Sequence, residues 1–350
     1  MIESSVDTPP QLPGQADDAP GAPSWVAPGP VEHPTPQLAP APPPRKSGTA
    51  FFAVVLALFA VPGSMAQAAN PVLGLAWSEA FALLLPAVVV AAASNLDPRR
   101  ALLLARRPGL SSLVLAVLVG AAGFFTAGAL MAATSVVLPV RWLELFDVTR
   151  IFDRPPLERA ALAVIATTVA PFCEEAAFRG WVLTALRTRH RTAVAIALSA
   201  LFFALMHLDP VRFPALLGLG LLYGWLAWRS GSLWPSILAH AVNNALGVTL
   251  ALAGARQAAF EAAQPSPAQV LTFAALALVV SGGILRAVAG VYRRATPSPP
   301  AVEEVVVRKD PHRSRTSFDL TRIPRALLFL AVIGAGALAA LAWTGPVGRR

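Results

Sequence analysis

"ALAVIATTVAPFCEEAAFRGWVLTAL", residues 161–186, decides how the chain is read. It is an apolar block long enough to cross a bilayer, yet Glu174, Glu175 and Arg179 stand near its middle. An Asp, Lys or Arg at the centre of a membrane helix costs roughly 2.5–3.5 kcal/mol on insertion scales, so an ionisable group persists there only with a partner or a task. The block therefore poses two questions: which of its charges are paired, and what the unpaired one does.

The rest of the chain is built from similar blocks. Of 350 residues, 55% are hydrophobic and 13% charged, and the mean hydropathy is +0.60. Apolar blocks of about spanning length fall near 48–69, 73–95, 110–138, 159–186, 192–208, 214–229, 233–254, 267–290 and 326–344. Lipid gives backbone groups no hydrogen-bond partner, so each block must be a helix. The expected fold is all-α, a polytopic transmembrane bundle of about eight or nine membrane helices. One cysteine, Cys173, excludes a disulfide framework, and within an apolar block it reads as an inert core thiol.

Residues 1–47, closing on "APPPRKSG", are rich in Pro, Ala, Gly and acidic residues and cannot bury enough surface to offset chain entropy. This segment is expected to be a disordered cytoplasmic tail, and it lacks the basic start and apolar run of a cleaved signal peptide. Residues 48–290 form the expected bundle, 291–325 a basic cytoplasmic linker, and 326–350 a C-terminal transmembrane helix.

The formal charge of +9 and pI near 11.2 could suggest nucleic acid, but the basic residues cluster in short loops beside apolar blocks. Membrane topology accounts for them, and no nucleic-acid partner is expected. "DPRRALLLARR" (97–107), "RTRHR" (187–191), "WRSGS" (228–232) and the stretch from Arg286 to Arg325 alternate with balanced loops. With the N-terminus cytoplasmic, every one of these basic loops faces the cell interior, as in a multi-pass protein of the cell membrane; only "GPVGRR" at the C-terminus departs. The segment "RWLELFDVTRIFDRPPLER" (141–159) reads as an amphipathic helix in the outer interface or equally as a loop, and Pro155 and Pro156 end it. No inverted repeat of the transporter kind is evident.

Deep polar residues occur in three blocks: Glu174, Glu175 and Arg179; His207; and His240, Asn243 and Asn244. Glu174 lies 13 residues from Arg187, His207 lies 16 from Arg191 and Asn244 lies 15 from Arg229. At about 1.5 Å of rise per residue all three come out about 20–24 Å from the basic end, with His240 somewhat nearer. Glu79, in "AWSEAF", is closer to a block edge, where its side chain can snorkel.

Helical spacing separates the two glutamates. Glu175 and Arg179 are i and i+4 and can pair, whereas Glu174 is turned about 100° away and is left free. His240 and Asn244 are also i and i+4 and present two hydrogen-bonding groups from one face. Each has a structural reading when taken alone: Glu175–Arg179 as an ion pair, His207 as a packed histidine on a backbone carbonyl, His240 and Asn244 as a bridge between helices, Asn243 as support. Together, at one depth, a carboxylate, two histidines and an asparagine suit hydrolysis better than packing.

"EEAAFR" (174–179) reads as Glu-Glu-x-x-x-Arg, "FALMH" (203–207) as Phe-x-x-x-His and "HAVNN" (240–244) as His-x-x-x-Asn. In this order on successive helices they resemble the CPBP family, which contains the type II CAAX prenyl endopeptidases and bacteriocin-processing or self-immunity proteins. The resemblance covers about 160–250 and implies a protease core at about 159–254. It implies an intramembrane endopeptidase with a cavity open toward the cytoplasm, acting on a membrane-associated peptide or protein. By motif position, Glu174 would be the general base that activates water, assisted by His207. Glu175 and Arg179 would hold the site together, and His240 and Asn244 would stabilise the oxyanion.

Elementary chemistry agrees with these roles. A desolvated glutamate can take a proton from water and return it to a leaving amine, and fixed donors in a water-poor site stabilise developing negative charge. No cofactor is required by this scheme. Zinc is the alternative, since two histidines and a glutamate are also a zinc ligand set, although His-Glu-x-x-His is lacking. Two other functions fit the same polar layer: a transporter or channel, and a non-catalytic immunity or binding protein.

Overall fold

The computed structural model describes residues 47–94, 96–253 and 265–295. The Pro-rich tail before Ser47, the basic linker beyond Ala295 and the expected span at 326–344 lie outside the described residues. Every regular element among the described residues is a helix. The rods are α1 (Gly48–Ala69), α2 (Pro71–Ala93), α3 (Leu110–Val137), α4 (Pro156–Arg187), α5 (Thr192–Met206), α6 (Phe213–Ser230), α7 (Trp234–Leu252) and α8 (Pro267–Ala295). Each expected span from 48 to 290 is thus a helix, and 6 of these rods, all but α5 and α6, are long and apolar enough to cross a bilayer. The chain is a multi-pass membrane helix bundle.

Local chemistry sets the boundaries. Asn70 breaks α1 from α2 with extended backbone and accepts the amide of Leu73 at 2.9 Å, while Pro71 occupies a first-turn position that has no intrahelical acceptor to lose. Gly231, at φ 61°, ends α6 in the left-handed conformation that a residue without Cβ adopts freely. Between α3 and α4 the chain forms a short helix at Val140–Leu145 and a 3-10 turn at Val148–Phe152, with Val140, Trp142 and Leu145 exposed. The segment 141–159, expected as an amphipathic helix or a loop, thus begins as a short helix and continues as a turn.

Between helices the packing rests on small residues and hydroxyl pairs, because lipid gives no hydrophobic drive for helix association. A Cβ at Gly120 on α3 would lie 2.4 Å from the carbonyl oxygen of Ala239 on α7, so the two helices cross with backbones in contact. Thr126 of α3 donates to Ser281 of α8 at 2.8 Å. One core joins Phe52, Leu83, Cys173, Phe178, Trp181 and Phe203 from α1, α2, α4 and α5. A second joins Val119, Leu219, Tyr223, Ala239 and Val288 from α3, α6, α7 and α8.

The two ends of the bundle differ in charge. Leu233 donates to Leu103 at 3.0 Å, Trp234 to Leu104 at 3.2 Å, and Arg229 to the carbonyl of Arg293 at 3.0 Å. These bonds gather the arginine-rich turns at one end. The opposite end holds the balanced segment 140–154 and the turn 207–212 between α5 and α6.

Candidate active site

Helix α4 is not one continuous α-helix. Wider π turns at Ile165–Val169 and Ala176–Val182 flank the α-helical Ala170–Glu175, and such turns recur where helices carry function. The amide of Ala170 donates to the carbonyl of Ile165, five residues back. In that register the next donor should serve Ala166, but the next residue is Pro171, which has no N–H. The orphaned carbonyl of Ala166 instead takes a hydrogen bond from Nδ2 of Asn244 on α7 at 2.9 Å. The proline in "APFCEE" thereby creates the acceptor that ties α7 to α4.

Glu175 is fully buried, and its Oε1 accepts from Nη1 of Arg179 at 2.8 Å. Nη2 of Arg179 donates to the carbonyl of Gly220 on α6 at 3.3 Å. The guanidinium lies 4.2 Å from the centre of the Phe203 ring and 5.5 Å from that of Tyr223, so two aromatic faces supply the rest of its solvation. Gly220 itself approaches closely enough that a Cβ would lie 2.9 Å from Ala200.

His240 of α7 is also buried. Its Nδ1 lies 3.0 Å from Oε1 of Glu175 and its Nε2 lies 3.8 Å from Oε2 of Glu174. A carboxylate only accepts, so Nδ1 carries a hydrogen toward Glu175. The Tyr223 ring stacks on the imidazole, with centroids 4.9 Å apart. Glu174 makes neither a hydrogen bond nor an arginine pair among the described residues, and its buried Oε2 is without a hydrogen-bond partner. One glutamate is thus committed and its neighbour is not.

His207 caps the C-terminus of α5. Its Nδ1 donates to the carbonyl of Phe203 at 2.8 Å, since a carbonyl can only accept. A neutral ring then leaves Nε2 with a free lone pair. The structural reading of this histidine, a ring bonded to a backbone carbonyl, is met by Nδ1. His207 forms no ion pair or hydrogen bond with Glu174 among the described residues, and the imidazole against that carboxylate is His240. Asn243 donates to Oδ1 of Asn244 at 3.1 Å, the supporting contact its position suggests.

Burial around the site is lopsided. From Cys173 to Leu186, the stretch of α4 that runs toward the arginine-rich turns, every residue is buried. The partly exposed members, His207, Asn243 and Asn244, lie toward the opposite end.

Sequence reasoning missed Tyr223, Asp209 and Arg212, and it placed Glu79 wrongly. Tyr223 is one of 2 tyrosines in the chain, and a phenol inside an apolar block was a legible signal. Glu79 is 2% exposed with an unpartnered oxygen, packed on the α4 side and within electrostatic reach of Glu174. It does not snorkel, because α2 turns that face inward at a π turn, Ser78–Leu84. Asp209 and Arg212, in the "HLDPVRF" turn, form a 2.6 Å ion pair beside His207.

A zinc site would need Glu174, His207 and His240 to converge. Among the described residues no group of 3 or more His, Cys, Asp or Glu side chains is arranged to hold a metal ion. The ring nitrogens nearest the backbone and Glu175 are already committed as donors.

Residues 156–246 match the family model described as type II CAAX prenyl endopeptidase, Rce1-like. The matched stretch contains the Glu-Glu-x-x-x-Arg, Phe-x-x-x-His and His-x-x-x-Asn motifs and supports a CPBP-type membrane protease. No curated protein and no solved structure matches the chain.

Proposed function

Because residues 156–246 carry an Rce1-like domain of the type II CAAX prenyl endopeptidases, we propose that the protein is an intramembrane endopeptidase that hydrolyses a peptide bond of a membrane-associated peptide or protein. The observation that supports this most is the division of labour between adjacent carboxylates. Arg179 is spent on Glu175, and Glu174 keeps an unpartnered oxygen beside an imidazole 3.8 Å away.

The chemistry follows from those atoms. A water between Glu174 and the substrate carbonyl gives its proton to Oε2 as its oxygen attacks the carbonyl carbon. The C–N bond then breaks, the proton passes to the leaving amine, and Glu174 is again a carboxylate. His207, through the lone pair on Nε2, accepts a hydrogen bond from the water's other O–H, which stays on the attacking oxygen, and so orients it. His240, held by Glu175 at 3.0 Å, stands where a hydrogen on Nε2 would donate to the oxyanion. Asn244 joins it with the amide hydrogen not given to Ala166. Glu175 and Arg179 fix His240 in place. No step uses a metal.

The N-terminus is proposed to be cytoplasmic in the cell membrane, because the arginine-rich turns gather at one end of the bundle. On that orientation the partly exposed side of the site faces away from the cytoplasm.

Comparing membrane peptides from cells that express the wild type or Glu174→Gln, together with purified protein acting on any peptide so identified, tests the reading. Loss of cleavage by about 10²–10⁴-fold at unchanged melting temperature is expected. Ion flux through reconstituted vesicles, or partner protection that survives Glu174→Gln, would point to the transporter or the binding protein instead. Hydrolysis should persist in 1,10-phenanthroline, and tightly bound stoichiometric zinc would overturn the metal-free scheme.

A further inference from the structure

Helix α8 carries one arginine well inside its span, Arg286, on the face turned away from the bundle. The inner face of α8, Ala274, Ser281, Val288 and Tyr292, is buried, and Ser281 and Tyr292 bond Thr126 and Ser112 of α3. At about 100° per residue Arg286 is turned about 140° from Ser281, and it is exposed. It stands six residues before Tyr292, so about 9 Å deeper than that ring. Tyr292 meets Trp225 of α6 with ring centroids 5.7 Å apart, an aromatic pair of the kind that marks a membrane interface. Arg286 therefore lies on the hydrocarbon side of it.

The protein offers this charge no counter-ion. Helices α3, α6, α7 and α8 contain neither Asp nor Glu, and Arg286 makes no ion pair or hydrogen bond among the described residues. Intramembrane arginines almost always face a bundle interior or a wet cavity, where a partner waits. The partner of one that faces lipid must come from the lipid.

The surroundings of Arg286 are shaped for more than a lone side chain reaching toward water. Arg293 stands seven residues further on, two turns nearer the arginine-rich end on the same face and also exposed. Gly282 and Gly290 flank Arg286 at i−4 and i+4, and a Cβ on either would meet nothing within 4 Å. Beside this face, α6 and α8 touch through Trp225 and Tyr292 and through the bond from Arg229 to the Arg293 carbonyl. Farther from the arginine-rich end they leave an apolar crevice of about 270 Å³ over Gly123 and Thr126 of α3, walled by Leu222 of α6 and Leu285 of α8. Around α8 the order outward from the crevice is Leu285, Ala289, Gly282, Arg293 and Arg286, so small residues separate the crevice from the two arginines. Thr126 is bonded to Ser281, which places the crevice deeper than Arg286. Charge above and an apolar slot below match a headgroup and its chain.

We propose that this flank of α8 is a binding site for an anionic phospholipid of the leaflet at the arginine-rich end, with its phosphate between Arg286 and Arg293 and one acyl chain in the crevice. Two guanidinium forks match phosphate oxygens in bidentate fashion, and basic pockets between membrane helices take such headgroups. The site is remote from Glu174 in the chain and independent of the hydrolytic reading.

The test uses full-length protein in detergent, titrated with fluorescent phosphatidylglycerol or with phosphatidylcholine carrying the same chains. Phosphatidylglycerol should bind about tenfold more tightly, the size of a charge-assisted contact. Arg286→Gln should bring the ratio to near one, and Arg286→Lys to an intermediate value, because it keeps the charge but not the fork. Arg189→Gln, in another arginine-rich turn, should leave the ratio unchanged. Leu285→Trp, which fills the crevice, should weaken both lipids alike. Arg286 is exposed and makes no bond within the protein, so its variants should fold; should Arg286→Gln fail to, the Lys variant decides, and an unchanged ratio there overturns the assignment.

Equal binding of the two lipids, a preference that survives Arg286→Gln, or one that Arg189→Gln removes as fully overturns it as well. Unaltered binding by Leu285→Trp does so too, since the chain would then lie elsewhere. Displacement of the lipid by excess inorganic phosphate would reduce the site to one for a free anion, and a dimer that Arg286→Gln dissociates would make this face a contact between copies of the chain. Either result sinks the lipid site.

Discussion

His240 and Glu175 meet at 3.0 Å, Nδ1 to Oε1, and the same oxygen takes the Arg179 guanidinium at 2.8 Å. One carboxylate oxygen thus ties α4 to α7, and Arg179 extends the tie to α6 through the carbonyl of Gly220.

Removing either charge should cost more than removing both. Glu175→Leu leaves the arginine buried without its counter-ion, and Arg179→Leu does the same to the glutamate. Each single variant should lose roughly 3–5 kcal/mol of stability, because an uncompensated charge remains in low dielectric. The Glu175→Leu/Arg179→Leu double variant should recover much of that loss in thermal melting in detergent. It should not recover hydrolysis, since His240 has lost the acceptor that orients it. A double variant no more stable than the singles would show that the pair is not the coupled unit described.

Asn244 and Pro171 should be coupled in the opposite sense. Asn244→Ala strands the part-buried carbonyl of Ala166, a loss of roughly 0.5–1.5 kcal/mol for the hydrogen bond removed. Pro171→Ala restores an N–H that can serve that carbonyl within α4. The Pro171→Ala/Asn244→Ala variant should therefore melt above Asn244→Ala alone. If the two effects simply add, the proline is not what frees the carbonyl.

Sidedness is open to a labelling experiment, because the native Cys173 is buried and will not react. Leu208→Cys lies in the turn beside His207 and Arg189→Cys in an arginine-rich turn at the other end, both exposed. With the N-terminus inside, a membrane-impermeant maleimide added to intact cells should label Leu208→Cys, and Arg189→Cys only after permeabilisation. The reverse pattern would place the site's less buried side toward the cytoplasm and invert the topology.

Much of this architecture was legible in the chain before any coordinates. The apolar blocks are helices because lipid allows no other backbone, and the i, i+4 spacing of Glu175 and Arg179 placed the guanidinium on one carboxylate rather than on its neighbour. Counting rise from the nearest arginine worked less well on α7. It put Asn244 level with Glu174, whereas His240 is the residue that meets both glutamates and Asn244 reaches two turns further along α4, to Ala166. The count assumed that the Arg229–Trp234 turn climbs like a helix, and Gly231 makes it a tight reversal instead. Glu79 was misread for a related reason: distance from a block edge says nothing about which way a π turn rotates a face.

By itself the sequence determined that this is a membrane bundle, that its apolar blocks between 48 and 290 are helices, and which ionisable and amide residues lie deep within them. Those are consequences of hydropathy, backbone satisfaction and helical period, all local to one segment. Tertiary structure alone decided which imidazole stands against the free carboxylate, that Pro171 makes an acceptor for Asn244, and that α4 is buried throughout from Cys173 to Leu186. Each of these depends on how far one helix is shifted and rotated against another, and that is set by close contacts such as Gly120 on Ala239 and Gly220 on Ala200, which no single segment records.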